Sequence, residues 1–215
     1  MTSEPPPRRL VVLVSGAGTT MRAVLEATDD PGYGVRVVVV ISDRADAPAL
    51  DIARTAGIPV ETVPLSDFET RGEWDEALGE AINRHSPDLV LLAGFMKIVS
   101  PEVVERFRGR MINTHPALLP AFPGAHAVRD ALAHGVKVTG CTVHFVEEEV
   151  DAGPIIAQAT VAVEDDDTEE SLHERIKSVE RQLVADTVER LLREGWTIDD
   201  RHVRRGHPEH PKGKG

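Results

Sequence analysis

Uninterrupted apolar runs alternate with segments whose apolar residues recur every three or four positions, and this exchange repeats along the first half of the chain. Leu10-Val-Val-Leu-Val14 ends at Ser15-Gly16-Ala17-Gly18-Thr19-Thr20, after which Met21, Val24 and Leu25 fall at helical spacing. A second run, Val35 to Ile41, stops at Ser42-Asp43-Arg44. Ala49 to Ala56 then reads as helix and Gly57-Ile-Pro-Val60 as a short strand. A helical stretch from Glu73 to Arg84 precedes the apolar strand Asp88 to Ala93, closed by Gly94-Phe95-Met96. Strands that are apolar throughout belong in a sheet covered on both faces, so the pattern predicts a Rossmann-like, doubly wound α/β fold with a mostly parallel sheet.

The second half changes character. Gly140 to Val146 and Pro154 to Val163 read as neighbouring strands joined by an acidic loop with no room for a crossover helix, which predicts an antiparallel C-terminal strand pair. Asp167 to Arg193 then reads as one long C-terminal helix, with Leu172, Ile176, Val179, Leu183, Val188 and Leu191 as its buried stripe and Asp167 and Glu170 spaced as a capping box. No internal repeat or linker breaks residues 10–195. Residues 1–9 are Pro-rich and the end of the chain lacks apolar periodicity, so 1–9 and 201–215 are expected to be disordered around one domain, 10–200.

Composition narrows the function classes. Of 215 residues, 41% are hydrophobic, enough for one packed core at about 100–200 residues per domain. A net charge of -12 argues against a nucleic-acid backbone as partner. The single cysteine, Cys141, cannot form an internal disulfide and sits within a strand as a small hydrophobe, which suits a reducing cytoplasm. The opening has no secretory apolar region, and no run approaches the roughly 20 residues of a membrane span. His126, His134 and His144 do not share metal-ligand spacing with a carboxylate, so no metal is expected.

Three places could carry chemistry. The glycine loop after the first strand can present backbone N–H groups and a helix N-terminus to a phosphate, although Met21 breaks the dinucleotide frame and no P-loop lysine follows; a plain strand-to-helix turn fits it too. In Met111-Ile-Asn-Thr-His-Pro-Ala-Leu-Leu-Pro-Ala-Phe-Pro-Gly124, Asn113 and His115 lie two apart and share a face if extended. An amide that donates to an oxyanion beside an imidazole is acyl-transfer equipment, and the prolines around it suit either a preorganised site or a rigid structural loop. Glu147-Glu-Glu-Val-Asp151-Ala-Gly-Pro154 is mostly a solvated turn, but Asp151 at its constrained bend could be fixed against an imidazole and favour the imidazole's charged form.

Taken together, Ser15 to Thr20, Ala93-Gly-Phe-Met96, Asn113 to Gly124 and Val150-Asp-Ala-Gly-Pro-Ile155 make the chain resemble the phosphoribosylglycinamide formyltransferases, from about Leu10 to about Arg193. The resemblance implies the formyltransferase fold and transfer of a formyl group from 10-formyltetrahydrofolate to the amine of 5-phosphoribosylglycinamide in purine synthesis. It implies that Asn113, His115 and Asp151 are catalytic, with Asn113 and Asp151 also touching the folate. It assigns phosphoribosylglycinamide to Ser15, Gly16, Ala17, Gly18, Thr19, Thr20, Gly94, Pro116, Lys177 and Glu180. It assigns the folate to Arg71, Met96, Lys97, Ile98 and Val99 and to the acidic loop of Glu147, Glu148, Glu149 and Val150. Ala17, Thr20 and Lys97 depart from the family's usual asparagine, serine and arginine; Lys97 keeps the charge and loses arginine's planar fork.

The expected partners are therefore small-molecule substrates, with a homodimer compatible with the family and neither nucleic acid nor membrane involved. Three rivals share parts of the pattern. A methionyl-tRNA formyltransferase would carry a further C-terminal domain, where only about 20 residues follow the long helix here. A formyltetrahydrofolate deformylase would precede the glycine loop with a regulatory domain, where nine residues precede the first strand. A non-catalytic folate or nucleotide binding module would make the three polar residues coincidental.

Overall fold

The structure, a computed structural model, describes residues 6–206. Strands β1 (Arg8–Val14), β2 (Val35–Ser42), β3 (Val60–Thr62), β4 (Leu89–Leu92) and β5 (Met111–His115) are parallel and joined by helices α1 (Thr19–Ala27), α2 (Pro48–Thr55), α3 (Arg71–Asn83) and α4 (Pro101–Arg106). Helix α5 (Ala127–His134) leads into β6 (Val138–Phe145), which runs antiparallel to β5 and to β7 (Ile155–Ala162). Helix α6 (Glu169–Glu194) and a hairpin of β8 (Trp196–Asp199) and β9 (His202–Arg205) follow, and the sheet order is β3-β2-β1-β4-β5-β6-β7-β9-β8.

The continuous apolar strands are explained by the two cores they separate. Leu10, Val12, Val14, Leu89, Leu91 and Ile112 face α1, α2 and α6, whereas Val11, Leu13, Val90, Leu92 and Met111 face α3 and α4. Successive residues of one strand thus serve opposite cores, so no polar position interrupts the run. Sheet order reverses direction at β1 and β4, whose C-terminal loops lie side by side, and such a switch point is where open α/β sheets bind ligands.

Several boundaries differ from the sequence expectation. Residues 8 and 9 belong to β1 and not to a disordered extension, because Asp88 holds the Arg9 N–H at 2.7 Å and Gly34 the Arg8 N–H at 2.9 Å. Residues 201–206 likewise are not a disordered tail, since β9 pairs with β8 from Trp196↔Arg205 to Asp199↔His202. The remainder of both expected tails, 1–5 and 207–215, lies outside the described residues. The cap of α6 is Thr168 with Ser171, not Asp167 with Glu170. Asp167 is engaged instead by both guanidinium nitrogens of Arg175, at 2.7 and 2.9 Å, and by the Ser171 hydroxyl, at 2.8 Å. Helix α3 begins at Arg71, two residues before the expected start, because Thr70 and Glu73 form its capping box.

Candidate active site

Gly18 closes the glycine loop with φ 72, in the left-handed region, and a Cβ there would stand 2.6 Å from that of Ala49. Only glycine combines that backbone angle with that approach. Gly18 occupies the cap position of α1 without a side-chain cap, and the first turn carries no acidic residue, so its N–H groups and dipole remain for an anion. The loop is fastened across the switch point: Ser15 N donates to Gly94 O at 3.2 Å, and Met96 N donates to Ser15 Oγ at 2.8 Å. Below it, the Thr20 hydroxyl donates to Glu180 Oε1 at 2.8 Å. Burial pushes the Glu180 carboxyl above its ordinary value against the opposing hydrogen bond from Thr20. Lys177, one turn earlier on α6, pairs with Glu174 at 2.8 Å.

Alternation along β5 decides which side each polar group serves. Thr114 lies toward α6 and Glu180, while Asn113 and His115 share the face of Met111, toward α3 and α4. His115 is buried, with Nδ1 at 3.2 Å from Asp151 Oδ2 and Nε2 at 2.8 Å from the Phe122 carbonyl oxygen. Both ring nitrogens thus face acceptors, an arrangement that only the imidazolium, a donor at both, satisfies fully.

Asp151 arrives from the loop between β6 and β7 and adopts φ 56, rare for a residue other than glycine. Gly153, two residues on, permits the loop to press against β6, since a Cβ there would lie 1.8 Å from Phe145 O. Asp151 Oδ2 also accepts from Gly124 N at 2.8 Å, and Oδ1 stands 3.6 Å from His144 Nε2. Burial alone would raise the Asp151 carboxyl; His144, the Gly124 amide and His115 together outweigh it and hold the group below the usual carboxylate value. Asp151, distant in sequence, is therefore brought against His115, on the face of β5 that also bears Asn113.

The structure adds groups that sequence reasoning passed over. His144 stands opposite Asn113 in the β5–β6 register and is buried beside Asp151, and Thr142 stands opposite His115. Thr142 Oγ1 donates to Ala117 O at 2.6 Å and accepts from Leu119 N at 3.1 Å, which roots the loop after Pro116 on β6. The alternation of β6 places Thr142 and His144 together on one face, a signal available in the sequence once the pairing with β5 is known.

The segment after β4 exposes Met96 and Ile98 while Val99 packs inward. Arg71 stacks 4.6 Å over the Trp74 ring, pairs with Asp75 at 3.0 Å and donates to the Ile98 carbonyl, which places a guanidinium beside two exposed apolar residues. Lys97 Nζ lies 3.9 Å from the buried carboxylate of Asp43, at the end of β2. Glu147, Glu148, Glu149 and Val150 are exposed at the mouth of the Asp151 loop. Burial in β6, with Glu180 adding to it, pushes the Cys141 thiol up to about 12, so it carries no thiolate at neutral pH. Among the described residues no group of three His, Cys, Asp or Glu side chains is arranged as a metal site, and no helix is long and apolar enough to cross a membrane.

A family profile described as formyl transferase matches residues 8–188. The chain is 52% identical over 200 residues to a phosphoribosylglycinamide formyltransferase of Mycobacterium tuberculosis, covering 93% of this chain and 92% of that one. It is 42% identical over 207 residues to the trifunctional purine biosynthetic protein adenosine-3 of Bos taurus, covering 92% of this chain and 20% of that longer protein. A crystal structure of glycinamide ribonucleotide transformylase 1 from Symbiobacterium toebii superposes with a TM-score of 0.92 at 42% identity, covering 96% of this chain and 98% of that one.

Proposed function

The chain belongs to the formyl transferase family, and on that footing we propose that it moves the formyl group of 10-formyltetrahydrofolate onto the glycinamide amine of 5-phosphoribosylglycinamide, in purine biosynthesis. The observation that carries the mechanism is the buried contact of 3.2 Å between His115 and Asp151, on the face of β5 that also bears Asn113.

The two substrates would approach from the two faces of the sheet. The N–H groups of Gly16 to Thr20 and the start of α1 suit a ribose phosphate, with Glu180, Lys177, Gly94 and Pro116 around the rest of phosphoribosylglycinamide. Exposed Met96 and Ile98, the Arg71 guanidinium, Lys97 and the acidic 147–150 loop suit a flat heterocycle with an anionic tail, which is how 10-formyltetrahydrofolate would be held. A homodimer would be compatible with such a site. A cytoplasmic location fits such a metabolic enzyme.

In the transfer, Asn113 Nδ2 and His115 Nε2 donate to the formyl oxygen as it gains negative charge under attack by the amine. The Phe122 carbonyl holds that His115 donor in the resting site, so the substrate oxygen takes its place. Asp151 keeps the imidazole charged and oriented, and relays the proton that leaves the amine toward the departing folate nitrogen. Identity of 52% to a transferase over nine-tenths of both chains supports transfer over hydrolysis by a deformylase. The direct test follows folate release with and without phosphoribosylglycinamide: acceptor-dependent release is expected. Release that ignores the acceptor would instead indicate a deformylase, and absence of release a binding module.

Glu180 offers a separate check. Its carboxyl is raised by burial, so the stability it contributes is complete below the ordinary carboxylate pKa and is lost as pH rises through the folded value. Glu180→Gln keeps an acceptor for Thr20 and removes the charge. Its unfolding midpoint is expected to gain on wild type between pH 5 and pH 8, while KM for phosphoribosylglycinamide rises by about tenfold or more, the loss of one hydrogen bond to a charged group. An unchanged KM would remove Glu180 from the substrate site.

A further inference from the structure

The β8–β9 hairpin lies beyond residue 188, where the family profile ends, and reaches back to the loop that carries Asp151. At its turn, Asp200 adopts φ 52, and the next residue, Arg201, donates from Nη2 to the carbonyl oxygen of Ala152 at 2.9 Å. Ala152 directly follows Asp151, whose own φ of 56 is a backbone state that must be imposed by its surroundings. The hairpin is itself anchored at three points. Trp196 Nε1 donates to Gly109 O at 2.9 Å, its ring lies 6.0 Å from that of Phe145, and His202 pairs with Ile155 at the start of β7. Phe145 is the residue whose carbonyl presses on Gly153. One face of the 151–153 turn is thus set by β6 through Phe145, and its Ala152 carbonyl is held by Arg201.

We propose that Arg201 is a positioning residue for formyl transfer: by clamping the Ala152 carbonyl it fixes the strained Asp151 backbone so that the carboxylate stays within reach of His115 and His144. The role assigned to Arg201 runs through the turn and requires no contact with either substrate. Its exposed guanidinium contributes little to the core, so its loss acts on the turn more than on the fold. The proposal rests on the reading of Asp151 as part of the transfer site.

The test compares the full chain with Arg201→Ala, Arg201→Lys and, as a control on that reading, Asp151→Asn. A loosened catalytic group misplaces the chemistry without weakening substrate contacts, so Arg201→Ala is expected to lower kcat about tenfold and leave both KM values within about twofold. Its unfolding midpoint should stay within about 2 °C of wild type, as for most surface changes. Arg201→Lys, which can still reach the carbonyl, should restore most of kcat. If Arg201→Ala keeps wild-type kcat while Asp151→Asn is inactive, the proposal is wrong and the site reading stands. A fall in kcat that tracks a lower midpoint and is not rescued by lysine also overturns it, because a general structural role would then suffice. Should Asp151→Asn turn over at the wild-type rate, the site reading itself falls and takes the proposal with it.

Discussion

His115→Ala, assayed for acceptor-dependent folate release, will lower kcat by about 10²–10³-fold, the effect of removing one preorganised oxyanion donor. The size follows from what the imidazole does at that place. It is buried, its Nδ1 is committed to Asp151 at 3.2 Å, and its Nε2 already has a carbonyl acceptor at 2.8 Å. It therefore presents a ring nitrogen whose orientation is set before substrate arrives, and the formyl oxygen needs only to displace the Phe122 carbonyl. Alanine removes the donor altogether. The glycine loop and the 96–99 segment are untouched, so KM for either substrate should change by no more than about threefold, far less than kcat. Folding will also suffer, by about 1–3 kcal/mol, because a buried Asp151 oxygen and the Phe122 carbonyl each lose a partner. Circular dichroism at the assay temperature separates that loss from the catalytic one. Asn113→Ala should fall in the same range, and the double variant should lose less than the product of the two, since both groups serve one oxygen. Turnover by His115→Ala within about threefold of wild type would remove the imidazole from the reaction.

The parts of this site that sequence disclosed are those where local pattern equals structure. Val11 and Val12 serve opposite cores, so β1 had to be apolar without interruption, and the glycine loop that follows could not be missed. Asn113 and His115 share a face because a strand has period two, and Asp151 stood out because Ala-Gly-Pro follows it. What escaped depends on register or on backbone atoms. His144 faces Asp151 only because β6 pairs with β5 at Asn113↔His144, and nothing in either strand announces that register. The Phe122 contact is made by a main-chain carbonyl, which has no sequence signature. β9 falls within 201–215, the expected disordered tail, because a four-residue strand rich in charge needs no apolar run. Asp167 drew the helix cap one residue early because it satisfies the same spacing rule as Thr168, and only its pairing with Arg175 decides between them.

Asp151→Asn should abolish most of the same rate by a different route, and pH distinguishes the two. Asparagine fits the space and can still accept from Gly124 N, but it has no charge to balance an imidazolium. One oxygen, Oδ2, faces both Gly124 N and His115 Nδ1, so an amide oxygen that keeps the Gly124 bond pairs with a neutral ring protonated at Nδ1, leaving Nε2 without a proton for the oxyanion, and the proton relay is gone. A loss in kcat of about 10²-fold or more is expected, with KM little changed. The carboxyl is held below its usual value by His144, Gly124 and His115 against the opposing effect of burial, so it stays ionised well into acid. A depressed folded pKa contributes stability that is fully present above the unfolded value near 3.9 and is lost as pH falls through the folded value. The share of the stability advantage of wild type over Asp151→Asn that comes from the carboxylate should therefore persist as pH falls to about 5 and shrink only below about pH 4. Urea unfolding of both proteins across that range measures it. An advantage already lost at about pH 5 would mean that the Asp151 carboxyl is not held below its usual value.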